Sequence, residues 1–215
     1  MPKVAASEPL PFSSPLLIGV DEAGRRSLAG PVVVAAVTWP SACGLPVVDS
    51  KKLSAKQREV LFDAILAQAD AVHITCRGPG EIDNLGILAA TLQGMAECIQ
   101  VLGKSADCPV VIEGHQFPVK PAPAHHFAVV KGDSRVPAVW AASILAKVTR
   151  DRLMAELDLQ NPQYGFAKNQ GYSTAQHLDT LQRLGPCTEH RQSFGQVKSW
   201  QSTGRGPQFF YHNRY

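Results

Sequence analysis

Apolar positions along this chain fall into short β-branched runs alternating with longer stretches of three- and four-residue periodicity. Leu16 to Val20 is an apolar run closed by Asp21-Glu22, and Pro31-Val-Val-Val-Ala-Ala-Val37 is a second one beyond Gly24 to Gly30. Such residues fit a pleated, half-buried surface, so the pair predicts two strands joined by a glycine-containing loop. Ser54-x-x-Gln57 has the form of a capping box, opening a helix with Val60, Leu61, Ala64 and Ile65 on one face. A strand is predicted from Ala71 to Cys76. Ile82, Leu85, Leu88, Leu92, Met95, Ile99 and Leu102 then recur at helical steps, predicting one helix with Gly103 placed to end it.

Two further runs, Pro109 to Ile112 and Phe127 to Val130, read as buried strands, each followed by charge: Glu113-Gly114 and Lys131-Gly132-Asp133. From Pro137, at a helix N1 position, to about Leu159 the chain is rich in Ala, Leu and Lys/Arg with no breaker, which predicts a long helix. Ser173-x-x-Gln176 opens a last helix that Gly185-Pro186 closes. The order strand, strand, helix, strand, helix, strand, strand, helices places the chain in the α/β class. Residues 1–15 precede the pattern, 16–198 carry it, and 199–215, with Gly204, Gly206, Pro207 and several aromatics, read as a flexible tail.

Composition fits this picture: 215 residues, 45% hydrophobic and 18% charged, suit one compact domain with a real core and a C-terminal lobe. No apolar run approaches the roughly 20 residues that span a bilayer, and Met1 to Pro15 lacks the basic-then-apolar form of a secretory signal. A cytoplasmic protein without a membrane partner is the expectation, and a monomer is taken as its state. The five cysteines, Cys43, Cys76, Cys98, Cys108 and Cys187, form no C-x-x-C pair and read as reduced and structural. Charge is uneven: ten basic against twelve acidic residues lie in 1–130, and eleven against six in 131–215. A basic C-terminal half is compatible with a phosphate-backbone partner, although many soluble proteins share the asymmetry.

The candidate chemistry lies in acids that directly follow apolar runs, where open α/β sheets present functional groups. Asp21, Glu22, Glu113 and Asp133 all do so. One such acid is ordinarily a solvated turn residue, but four on neighbouring strand ends would repel unless protonated or bound to cations. Oxygen-only donors without a Cys/His set favour hard cations, Mg²⁺ or Mn²⁺, and two such ions serve phosphodiester hydrolysis. His125-His126 are weaker ligand candidates, because adjacent residues on a strand point to opposite faces.

Several cations and aromatics could face a nucleic acid. Ser143, Lys147 and Arg150 stand at i, i+4 and i+7 on the long helix, a spacing that fits a phosphate-binding stripe or an ordinary solvated face equally well. Lys51-Lys52 and the loop Gly24-Arg25-Arg26-Ser27 add donors near strand ends. Tyr164-Gly165-Phe166-Ala167-Lys168 could stack on a sugar or base, or could be buried.

Taken together the chain resembles the type 2 ribonuclease H family, ribonuclease HII. The resemblance is carried in order by Gly19-Val-Asp-Glu-Ala-Gly-Arg25, Leu28-Ala-Gly-Pro-Val32, Asp49-Ser-Lys-Lys-Leu-Ser54, Lys131-Gly-Asp133, Ala142-Ser-Ile-Leu-Ala-Lys-Val-Thr-Arg-Asp151, Tyr164-Gly-Phe166 and His190-Arg-x-Ser-Phe194. It implies a ribonuclease H-like mixed sheet flanked by helices, with a helical C-terminal extension. It further implies a metal-dependent endonuclease acting on RNA-DNA hybrids and on ribonucleotides embedded in duplex DNA. Two Mg²⁺ or Mn²⁺ ions would fall on Asp21, Glu22, Glu113 and Asp133. The loop that contacts the ribose 2′-hydroxyl would fall on Gly24, Arg25 and Arg26, the junction-sensing tyrosine on Tyr164, and phosphate contacts on Lys51, Ser143 and Lys147.

The chain departs from the family pattern at the expected site. Arg26 stands for a glycine, Ser27 for a proline, and Glu113-Gly114-His115 for aspartate-glycine-asparagine. If position 26 needs a left-handed backbone, Arg26 costs roughly 1–2 kcal/mol; if it needs only close approach, the side chain obstructs the strand or adds a phosphate contact. Glu113 carries its oxygens one methylene further than aspartate. The departures leave a rival reading, a hybrid-binding protein with weakened catalysis; a different nuclease on the same fold is a further one. No G-x-G-x-x-G follows a strand, which argues against a dinucleotide enzyme.

Overall fold

The computed structural model describes residues 3–5, 8–11, 13–40, 53–102, 108–116 and 125–202. Six strands form one mixed sheet: β1 (Lys3–Val4), β2 (Leu16–Ala23), β3 (Val32–Pro40), β4 (Ala71–Arg77), β5 (Val110–Glu113) and β6 (His126–Val129), in the spatial order β1-β6-β5-β2-β3-β4. β3 runs antiparallel to both of its neighbours, β2 and β4, while β2, β5, β6 and β1 are parallel neighbours. The helices are α1 (Ala55–Gln68), α2 (Pro79–Leu85), α3 (Ile87–Leu102), α4 (Pro137–Gln160), α5 (Phe166–Asn169), α6 (Ala175–Leu184) and α7 (Gly195–Ser202).

Strand alternation divides the core into two layers. Val33, Ala35, Val37, Trp39, Val111 and Val129 pack with α1 and α4, whereas Ile18, Val20, Val34, Ala36, Val110 and Ile112 pack with Met95, Cys98 and Ile99 of α3. β3 is thus covered on both faces, the physical reason for its unbroken apolar run. Gly19 lets β2 lie directly on the first turn of α4, since a Cβ there would stand 2.0 Å from the Ala138 carbonyl carbon.

The capping box at Ser54 and Gln57 forms as predicted, and the face of α1 departs from the expected one only at its edge. Ile65 is buried and Leu61 packs against the core as expected, whereas Val60 is 64% exposed and Phe62 is buried in its place. The periodic stretch from Ile82 to Leu102 is two helices, because Gly86 takes a left-handed φ of 80° and the axis bends by 112°; Leu85 and Leu88, beside that bend, are exposed. Gly103 lies outside the described residues. Thr174, not Ser173, caps α6, its hydroxyl accepting the His177 amide. Helix α7 was not expected and continues past Lys198 to Ser202. Val197 of α7 is buried with Leu28 and Leu181, and Trp200 lies against Gly185; residues 203–215 lie outside the described ones. Among the described residues no single helix is long and apolar enough to cross a membrane.

Candidate active site

The sheet topology brings the predicted acids together. β2 does not stop at Val20 but continues through Asp21 and Glu22 to Ala23, paired with Val33 to Ala35 of β3. Its parallel neighbour β5 ends on Glu113, and β6 leads through left-handed Lys131 into a 3₁₀ turn, Gly132–Ser134, that carries Asp133. All four carboxylates line one open cleft of about 690 Å³. Gly24, Arg25 and Arg26 form part of its rim, with Ser143 and Lys147 from α4, Arg58 from α1 and Tyr172.

The acids strain one another electrostatically. Asp21 is buried, and its carboxyl is raised well above the ordinary carboxylate range, first by burial and then by the charges of Glu22, Glu113 and Asp133; the Glu22 amide, donating at 2.7 Å, opposes this. Burial also raises Glu22, against the attraction of the Arg25 guanidinium at 3.1 Å. Burial raises Glu113, whose Oε2 accepts the Asp133 amide at 3.1 Å. The other oxygen of Glu22, Oε2, is buried without a hydrogen-bond partner. Crowded oxygen donors and an orphaned carboxylate oxygen fit a hard divalent cation. Among the described residues, no three His, Cys, Asp or Glu side chains are drawn into a single coordination shell.

Other predicted residues divide. Ser143 and Lys147 reach the cleft, and Lys147 is held by Asp151 at 2.5 Å. Arg150 does not belong to that stripe: it is fully buried, donating to the carbonyls of Pro31, Gln170 and Ala29. Tyr164 is not at the cleft either. It is 4% exposed, its hydroxyl donates to the Gly185 carbonyl at 2.7 Å, and its ring stacks on Phe166. Tyr172, 38% exposed, lines the cleft in its place. The signal for Tyr172 was its setting, a lone aromatic between Gln170-Gly171 and Ser173-Thr174 with no apolar neighbour to be buried against. Arg58 carried no comparable signal, since in sequence it is one more polar position of a helix.

Lys51 lies outside the described residues, and His115 is exposed and does not line the cleft. Arg26 does not require a left-handed backbone: the described non-glycine residues with positive φ are Lys131 and Gln170, and the loop's positive φ belongs to Gly24, at 96°. Ser27 is buried, with its hydroxyl unpartnered.

The family model for ribonuclease HII matches residues 18–201. The chain belongs to the ribonuclease HII family. It is 49% identical over 183 residues to the ribonuclease HII of Albidiferax ferrireducens, an alignment covering 85% of this chain and 87% of that one. The crystal structure of ribonuclease H2 from Pyrococcus horikoshii superposes with a TM-score of 0.70 at 24% identity, covering 88% of this chain and 99% of that one. A Bst ribonuclease HIII in complex with Mn²⁺ gives 0.69 at 17% identity, covering 88% of this chain and 70% of its own. The mixed sheet and its helices therefore form a ribonuclease H-like fold, and family membership makes the chain an endoribonuclease of RNA-DNA hybrids.

Proposed function

We propose that this ribonuclease HII family member is a divalent-metal-dependent endonuclease that cuts the RNA strand of hybrids and also incises DNA duplexes at embedded ribonucleotides. The observation that carries the reading is the convergence of Asp21, Glu22, Glu113 and Asp133 on one cleft whose rim is cationic and aromatic. These four acids would hold Mg²⁺ or Mn²⁺, which when bound supplies water activation and neutralisation of charge on a scissile phosphate. Lys147 and Ser143 offer a cation and a hydroxyl to the phosphate backbone, and Arg58 adds a second cation from α1. The Gly24–Arg26 loop meets the ribose, whose 2′-hydroxyl distinguishes RNA from DNA. Tyr172 presents a ring on which a sugar or base can stack.

The test uses two labelled duplexes, a continuous RNA-DNA hybrid and a DNA duplex carrying one ribonucleotide, each with Mg²⁺, Mn²⁺ or chelator. Both are expected to be cut with either metal and neither with chelator. Asp21→Asn should retain hybrid binding and lose cleavage by roughly a hundredfold or more, since metal-borne charge stabilisation amounts to several kcal/mol. Cutting of the hybrid alone would remove the embedded-ribonucleotide activity from the reading. Hybrid binding without metal-dependent cutting would replace it with a binding protein.

A further inference from the structure

Behind Tyr172, away from the carboxylates, lies a buried histidine pair that the proposed cleavage does not use. His177, in the first turn of α6, and His190, in the segment bridged to Ala29, are both fully buried, with their Nε2 atoms 3.0 Å apart. Backbone groups face their other nitrogens, and the Cys187 thiol, itself able to donate, also lies 3.2 Å from His190 Nδ1. His177 Nδ1 faces the Tyr172 carbonyl at 2.8 Å; a carbonyl only accepts, so Nδ1 carries the proton. His190 Nδ1 lies 3.1 Å from the Cys187 amide; an amide N–H donates, so that nitrogen is bare.

A neutral imidazole holds one proton, which leaves His177 Nε2 bare and His190 Nε2 protonated. The contact between the rings is then a hydrogen bond from His190 to His177. The assignments agree around the whole chain of donors, from the Cys187 amide through His190 and His177 to the Tyr172 carbonyl. Burial pushes His190 down to about 4 and lowers His177 as well, so both are neutral near pH 7. Tyr164 and Phe166 pack on the pair with ring centroids 4.9 to 5.6 Å away, restricting either imidazole from turning over. The Tyr172 carbonyl also accepts the Thr174 amide at 2.8 Å, and its ring sits beneath the Arg150 guanidinium, 5.8 Å from the centroid.

We propose that His177 and His190 are positioning residues for cleavage, a neutral pair of fixed tautomers that pins the Tyr172 backbone and thereby aims the Tyr172 ring across the cleft rim. This rests on Tyr172 being a substrate-contacting residue. The carbonyl already has the Thr174 donor, so the histidines are not needed merely to satisfy it. What they add is a second, inflexible anchor on the one aromatic ring that lines the cleft among the described residues.

The test is a double-mutant cycle on kcat/KM for the single-ribonucleotide duplex, using the full chain. Tyr172→Ala should lower kcat/KM roughly 10- to 100-fold, the range expected for a lost stacking platform. His177→Leu should lower it less than Tyr172→Ala does. His177→Asn, whose side-chain amide can donate to the same carbonyl, should restore most of the loss. In the Tyr172→Ala background, His177→Leu should cost nothing further, because its effect runs through that ring.

If His177→Leu costs the same factor in both backgrounds, the pair serves general stability and the proposal is overturned while Tyr172 keeps its role. An unchanged kcat/KM in Tyr172→Ala overturns the role of Tyr172 and the proposal with it. Should His177→Leu fail to fold, imidazole ¹⁵N resonances of the wild type decide. Nδ1–H on His177 and Nε2–H on His190 are expected; the opposite tautomers, or an imidazolium on either ring near pH 7, overturn it.

Discussion

On the proposed function Glu113 would perform two tasks with one carboxylate, holding a cation and bracing Asp133. Its extra methylene, compared with aspartate, lets Oε2 reach back to the Asp133 amide at 3.1 Å, which fixes the 3₁₀ turn that presents Asp133. The same length sets its oxygens differently in the cleft, and Mg²⁺ requires near-octahedral geometry at about 2.0–2.1 Å. Glu113→Asp is therefore expected to raise the Mg²⁺-supported rate relative to the Mn²⁺-supported rate, roughly threefold or more, while destabilising the fold by about 1 kcal/mol for the lost hydrogen bond. Rates in each metal and denaturant unfolding measure the two effects; an unchanged Mg²⁺ rate defeats the first. Arg26 poses a different problem, since its backbone is ordinary and its exposed side chain lines the rim. Arg26→Gly should raise cleavage of the single-ribonucleotide duplex relative to the continuous hybrid, because on the proposed placement of the loop at the ribose it removes bulk there without relieving any backbone strain. A substrate ratio that stays put would show that the arginine does not obstruct the loop.

At the scale of elements, the site depends on how closely β2 lies against α4. Gly19 precedes Asp21 by two residues, and any Cβ there would meet the Ala138 carbonyl carbon, its oxygen and the Val139 nitrogen at 2.0 to 2.4 Å. Backbone cannot yield as a side-chain tip can, so Gly19→Ala should destabilise by at least about 1–3 kcal/mol, read as a lower denaturant midpoint. Near-wild-type stability would mean that the strand and helix can separate freely. This contact also marks the limit of what the sequence discloses. Strand runs, the capping box at Ser54, the long helix from Pro137 and the four acids were legible, because each is a local pattern or a run with a charged end. The break at Gly86 was not, since the apolar period continues across it and only the turn decides the phase. Nor was the fate of Arg150, whose i+7 spacing from Ser143 places it on a polar stripe while the carbonyls of Ala29, Pro31 and Gln170 draw it inside. Tyr164 and Tyr172 differ by contacts distant in sequence: the Gly185 carbonyl and the side chains of Ala29 and Met154 bury the first, while the second is 38% exposed at the cleft.

Over the whole molecule, the carboxylates come from the first 133 residues, but their rim is held by the C-terminal lobe. Arg191 donates to the carbonyls of Gly30 and Arg25, the Gly30 amide to the Glu189 carbonyl and the Leu28 amide to the Gly171 carbonyl, so the lobe clamps the Gly24–Pro31 segment. The histidine pair sits inside that clamp and should give it a pH dependence. His190 is pushed down to about 4 when folded, chiefly by burial, and His177 is lowered too, against about 6.5 when unfolded. Below pH 6.5 the unfolded chain therefore binds protons that the native state refuses. The His190 contribution is complete above that pH and is lost as pH falls towards 4, at about 1.4 kcal/mol per pH unit; His177 acts in the same sense. The Cys187 thiol and the Tyr164 hydroxyl, which face the pair, are pushed by burial up to about 11 and about 12 and do not titrate in this window. The buried acids of the cleft act in the opposite sense, their raised values making them costly as pH climbs, but they are common to wild type and variant. Unfolding free energies of wild type and His190→Gln measured from pH 7 to pH 4.5 should therefore converge as pH falls, the variant being the weaker at pH 7 and the flatter in slope. Parallel curves would mean that folding leaves the titration of His190 unchanged, so that its burial does not hold it neutral.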